Sequence, residues 1–122
     1  MILISKFFKS ISSAIVGLKS VFKTEQNFRI QFYTAVLVLV MSIYFSISKF
    51  EWMIILLLIM LVLLTEVVNT AIEKFNDLLK PRLHHYVYAI KNIMAGAVLL
   101  VSLISFCIGL IIFIPYFINL VK

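Results

Sequence analysis

Glu66, Asn69, Glu73 and Asp77 are spaced three, four and four residues apart, at the end of an otherwise apolar run that begins at Trp52. An α-helix turns about 100° per residue, so this spacing gathers three carboxylates and an amide on one side of a helix. At about 1.5 Å of rise per residue, Glu66 lies about 10 Å from Glu73 along the axis, deeper in the apolar part of the run. A carboxylate inside a bilayer costs a few kcal/mol even on the gentlest scales, so an intramembrane acid marks a reaction centre or an ion path. The plainer alternative is that Glu66 and Asn69 only hydrogen-bond between helices. Four polar groups in register, running out to the water boundary, favour chemistry over packing.

The elements that must position these groups follow from composition. The chain has 122 residues, 64% of them hydrophobic, and a mean hydropathy of +1.17, which places it among integral membrane proteins as one domain, 1–122. Three apolar segments, 30–47, 52–72 and 93–118, are each long enough to cross about 30 Å of hydrocarbon as a helix. Before them, in 5–24, Phe7, Ile11, Ile15, Leu18 and Phe22 recur at helical spacing, with Lys9, Ser13, Ser20 and Lys23 opposite. This pattern predicts an amphipathic helix in the headgroup plane, and a lysine-rich N-terminus of this kind is not a cleavable signal peptide. The expected fold is therefore an all-α membrane protein with one interfacial helix and three transmembrane helices.

The net charge of +6 is distributed for orientation rather than for nucleic acid. Nine of the eleven basic residues fall before the first span or between the second and third, whereas Lys49 and Lys122 lie on the other side. The positive-inside rule then gives a cytoplasmic N-terminus, a cytoplasmic second loop and an external C-terminus. Basic charge at the inner face also meets anionic lipid.

Between the spans, 48–52 reads as a short external turn, with Trp52 suited to the interfacial aromatic belt. Residues 24–31 form a polar hinge, and Glu25 reads on composition as a solvated hinge residue. Lys80-Pro81 ends the second helix, and 78–89 reads as a solvated loop in which adjacent His84 and His85 share no helix face and suggest no metal site. The small residues Ala95, Gly96 and Ala97 allow close helix approach, and the single Cys107 is a packing residue. No glycine-rich phosphate loop is present, so a nucleotide would be held by carboxylate-bound metal and lysine. Glu25, Glu73 and Asp77 are hard oxygen ligands for Mg²⁺, and Lys91 can neutralise phosphate charge.

Glu66-x-x-Asn69-Thr-Ala-Ile-Glu73-x-x-x-Asp77, followed by Lys91-x-x-x-Ala-Gly-Ala-Val, resembles the prokaryotic diacylglycerol kinase family of small three-span lipid kinases. The likeness extends over nearly the whole chain. Glu25-x-Asn27-x-Arg29, Glu51-Trp52-Met53-Ile54 and the closing stretch to Pro115 are more similar to its undecaprenol kinase branch. The resemblance implies a homotrimer with shared active sites in the bacterial cytoplasmic membrane, phosphorylating a lipid alcohol with MgATP. Undecaprenol is the expected acceptor and diacylglycerol the alternative. By motif, Glu25 and Glu73 would bind Mg²⁺, Glu66 would be general base, Asn69 and Lys91 would handle the transferring phosphate, and Asp77 would lie near the nucleotide. The family usually carries Lys-Asp where this chain has Lys91-Asn92; the amide removes a negative charge from the nucleotide region.

Two other classes of function remain open at this level: a non-catalytic relative with a structural role, which Asn92 alone supports, and an ion-conducting oligomer using Glu66 as a proton site. Conduction would not require Glu25, Lys91 or the Asn-Thr-Ala-Ile-Glu core. A lone three-helix unit is expected to leave the Glu66 face only partly covered, which favours association.

Overall fold

The computed structural model describes residues 3–122 and contains four helices among them: α1 (Ile4–Thr24), α2 (Gln26–Tyr44), α3 (Lys49–Leu79) and α4 (His84–Val121). The last three are each long and apolar enough to cross a membrane. The protein is thus an all-α membrane protein. Its surface agrees with a lipid solvent, since large side chains such as Leu37, Leu57, Leu99 and Ile111 are exposed while Ser42, Glu66, Thr70 and Asn76 are buried. In water such a surface would aggregate.

The end of the bundle at the α2–α3 turn holds the apolar core. Ile47, Ile55, Ile112 and Phe113 are buried there, with Phe45 stacked among Phe113, Tyr116 and Phe117. The turn that brings α2 back into α3 contains Ser46 at φ 49°, which ends α2 three residues before the apolar run does. The expected external turn at 48–52 is instead the capped first turn of α3. Ser48 accepts from the Glu51 amide at 3.2 Å, and the Glu51 carboxylate accepts from the Ser48 amide at 3.0 Å. This reciprocal capping box satisfies two otherwise orphaned donors and is worth about 1 kcal/mol. The Tyr116 hydroxyl donates to the same Glu51 carboxylate, tying the end of α4 to the start of α3.

At the opposite end, the apolar segments 52–72 and 93–118 mark only parts of longer helices. Nothing between Lys49 and Leu79 breaks α3, so its 31 residues extend about 46 Å and project beyond the hydrocarbon. The expected loop at 78–89 shrinks to the turn between Leu79 and His84; His84 and His85 sit in the first turn of α4. Neither proline nor glycine occurs between His84 and Ala95, and burying Val87 against α3 rewards the extra turn. The polar ends of α3 and α4 therefore run side by side, and they carry most of the candidate residues.

The predicted hinge at 24–31 is a single non-helical residue, Glu25, at φ −109° and ψ 109°. Aromatic contacts of Phe22 with Phe28, Phe32 and Tyr33 fix the angle between α1 and α2. Along the rest of α1, Phe7, Ile11, Ile15 and Leu18 remain exposed, leaving the amphipathic face free for the membrane surface.

Because Ser48 and Tyr116 both act through Glu51, Ser48→Ala and Tyr116→Phe should each lower the thermal midpoint in detergent, and the double variant by less than the sum. Circular dichroism melts check this; two additive effects, or none, would show that Glu51 does not link the two helices.

Candidate functional site

One face of α3 organises the site from end to end. Ile55, Ile59 and Val62, at spacings of four and three, lie on the same side as Glu66, and Asn69, Glu73, Asn76 and Asp77 continue it toward water. The upper part of this face lines an apolar groove of about 410 Å³ between α2, α3 and α4, bounded by Val38, Leu63, Phe106, Leu110 and Phe113 among others. Gln31 and Thr34 stand at its end nearer Glu25, and the buried Gln31 Oε1 has no hydrogen-bond partner. The lower part lines a smaller polar cavity of about 130 Å³ formed by Glu73, Asn76, Asp77, Lys80, Val87 and Lys91. Glu66 stands between the two, one turn beyond Val62.

Glu66 is 1% exposed. α1, α2 and α4 all pack on α3 and enclose this carboxylate within the single chain, while Asn69 and Glu73 are half-buried and Asp77 is exposed, so the face as a whole is only partly covered, as expected. Asn69 Nδ2 lies 3.5 Å from Glu66 Oε2 and 3.3 Å from Glu73 Oε1, so one amide donates toward both carboxylates. Thr70, also buried, spends its hydroxyl on the Glu66 backbone carbonyl at 2.9 Å and leaves the carboxylate free. Glu25 lies close enough for its charge, with that of Glu73, to bear on Glu66. Glu66 and Glu73 are thus tied together through Asn69 on α3, with Glu25 adding its charge from the α1–α2 junction.

What holds Glu25 in place is Arg29. From the first turn of α2 its Nη1 donates to the carbonyls of Phe22 at 2.8 Å and Lys23 at 2.7 Å, the exposed C-terminal end of α1. A cation at a helix C-terminus satisfies orphan carbonyls and complements the helix dipole. The Glu25 amide bonds back to Val21 and its carbonyl accepts from the Arg29 amide. The side chain of Glu25 is therefore presented from a fixed corner rather than from a loose hinge.

Of the sequence-predicted residues, Glu25, Glu66, Asn69 and Glu73 form one cluster, and Glu73, Asp77 and Lys91 share the polar cavity. Asp77 is exposed and pairs with Lys80 at 3.7 Å, an arrangement of little energetic weight at a surface. Asn92 is exposed on α4 and does not line the cavity with Lys91. Asn76, which the sequence reading passed over, is 3% exposed, and its Oδ1 is buried without a partner. Its position three residues after Glu73 was the available signal. Lys80 was read only as a charge before a proline.

Comparison with known proteins decides the class. The prokaryotic diacylglycerol kinase family model matches residues 12–113. The chain belongs to that family. It is 40% identical over 112 residues to undecaprenol kinase of Bacillus subtilis, covering 92% of this chain and 91% of that protein. It is also 30% identical over 112 residues to a diacylglycerol kinase of Synechocystis sp., covering 91% of this chain and 64% of that protein. No solved structure matches significantly. The chain is thus an integral-membrane lipid kinase.

If Arg29 fixes the α1–α2 corner, Arg29→Ala should speed hydrogen exchange at the amides around Thr24 to Arg29 while leaving the α3–α4 core protected. Mass-spectrometric exchange in detergent reads this directly, and an unchanged profile would show that the corner holds without the guanidinium.

Proposed function

We propose that this kinase transfers the terminal phosphoryl group of ATP to the hydroxyl of a long membrane alcohol, with undecaprenol as its acceptor. The observation that carries the reading is the position of Glu66 between an apolar groove and a polar, lysine-bearing cavity on one helix face. A groove lined by aliphatic and aromatic side chains suits an isoprenoid tail, and the hydroxyl at the tail's end then reaches Glu66 from the membrane side. The nucleotide approaches from water, where Lys91 and Lys80 balance phosphate charge.

In this reading Glu66 accepts the proton of the lipid hydroxyl as its oxygen attacks the terminal phosphorus. Asn69, hydrogen-bonded toward both Glu66 and Glu73, fixes the base relative to the phosphate-binding end, and would donate to the transferring phosphate by turning one amide N–H from a carboxylate to it. Among the described residues no three acidic, His or Cys side chains gather into a metal cage of their own. Two carboxylates, Glu25 and Glu73, suit Mg²⁺, which is commonly bound by one or two carboxylates together with substrate phosphates. Bound there, Mg²⁺ would neutralise charge on the transferring group. Asp77 stands further out toward the nucleotide, and Asn92, exposed on α4 outside the cavity, would meet only a part of the nucleotide that projects from it.

Undecaprenol rather than diacylglycerol is favoured by the higher identity to the Bacillus enzyme over nearly equal lengths. The charge asymmetry supports a bacterial cytoplasmic membrane location with N-terminus and site cytoplasmic and C-terminus external. A homotrimer with shared sites follows from the resemblance; the exposed Lys91 side of α4 leaves room for a neighbouring copy to complete the outer part of the site.

Radiolabelled ATP in micelles, with undecaprenol and diacylglycerol side by side, tests the reading. Undecaprenol should be phosphorylated faster, and Glu66→Gln should lower the rate by about 10² to 10⁴ while assembly is retained. Near-wild-type turnover in Glu66→Gln would remove the general-base role, and faster labelling of diacylglycerol would reassign the acceptor.

A further inference from the structure

Asn76 is a buried amide that the reaction as described leaves without work. It is 3% exposed, and its Oδ1 faces no donor in the protein. An orphaned buried acceptor costs free energy unless a ligand satisfies it. The cavity it lines is polar and bounded by Glu73, Asp77, Lys80 and Lys91, with Val87 as its apolar wall.

The chemistry of a missing partner is constrained from several sides. A carbonyl oxygen accepts only, so it repels phosphate oxygens and asks for a donor. ATP offers two kinds: the hydroxyls of its sugar and the amino group of its base. No aromatic side chain lines the cavity and only one wall is apolar, which disfavours a stacked purine and favours a sugar. Register agrees. Asn76 lies seven residues, about 10 Å, beyond Asn69 toward water, with Glu73 between them. A nucleotide whose terminal phosphate reaches the Asn69–Glu73 level must carry its sugar outward along this same face.

We propose that Asn76 binds a ribose hydroxyl of the nucleotide and makes the enzyme selective for ribonucleotides, the amide oxygen accepting from the 2′- or 3′-hydroxyl inside the α3–α4 cavity. The proposal rests on the reading of ATP as phosphoryl donor. It assigns to the cavity a discriminating function separate from the phosphate chemistry one turn deeper. A site built to bond a hydroxyl rejects analogues that lack it, because the buried acceptor is then left unpaired.

The test compares ATP, 2′-deoxy-ATP and 3′-deoxy-ATP as donors for the wild type, with whichever of undecaprenol or diacylglycerol is phosphorylated held saturating. One deoxy analogue should show a KM raised about tenfold with kcat little changed. In Asn76→Leu the KM for ATP should rise to that of the analogue, so the gap closes, whereas Asn76→Asp, which keeps an acceptor, should preserve it. Should Asn76→Leu fail to assemble in detergent, Asn76→Ala replaces it under the same criteria. Equal use of all three nucleotides by the wild type overturns the proposal, as does a gap that persists when the acceptor is removed. A wild type that transfers nothing from ATP to any lipid fails the parent reading instead, and that outcome is distinct from the other two.

Discussion

The structure depends on keeping one carboxylate out of water. Removing an ionisable group from solvent costs several kcal/mol unless hydrogen bonds and neighbouring charges compensate. Here the compensation for Glu66 comes from Asn69, one turn along the same helix, whose amide is shared with Glu73. This arrangement requires α3 to remain an unbroken helix from the membrane interior out into water. The capped start at Ser48 and the uninterrupted run to Leu79 supply that continuity. Everything else is arranged around it: α4 lies alongside to close the cavity, and α1 and α2 pack on α3 to complete the enclosure of Glu66.

A lipid kinase must solve a problem of phase. Its acceptor is confined to hydrocarbon and its donor to water, and the two reactive atoms have to meet in a place that belongs to neither. The α3 face is graded accordingly, from Ile55 and Val62 in the groove, through Glu66, to Glu73 and Asp77 beside two lysines. If transfer takes place at Glu66 as proposed, its enclosure also limits water as a competing acceptor for the phosphoryl group.

Much of this was legible in the sequence because helical periodicity is regular. The spacing of Glu66, Asn69, Glu73 and Asp77 gave the polar half of the face, and the three apolar runs gave the membrane fold. What escaped had identifiable causes. The apolar half of the same face was invisible because Ile55, Ile59 and Val62 sit in a stretch that is hydrophobic all round, where no moment singles out a side. The capping box at Ser48 and Glu51 was present as a Ser-x-x-Glu signature but was read as a turn. Helix ends extended beyond the apolar segments because hydropathy locates the bilayer, not the last hydrogen bond. The enclosure of Glu66 by a single chain, and the burial of Asn76, depend on contacts between α3 and helices distant in sequence, which spacing along one helix cannot reveal.

The central claim is that Glu66 is reached from the membrane while the rest of its face is reached from water. Carbodiimide labelling with peptide mapping tests it most directly, using a lipid-soluble and a water-soluble reagent on the protein in vesicles. The account predicts that the lipid-soluble reagent modifies Glu66, that added undecaprenol protects it, and that the water-soluble reagent modifies Asp77 and Glu73 instead. Modification of Glu66 by the aqueous reagent as fast as Asp77, or no reaction with the lipid-soluble one, would contradict the account.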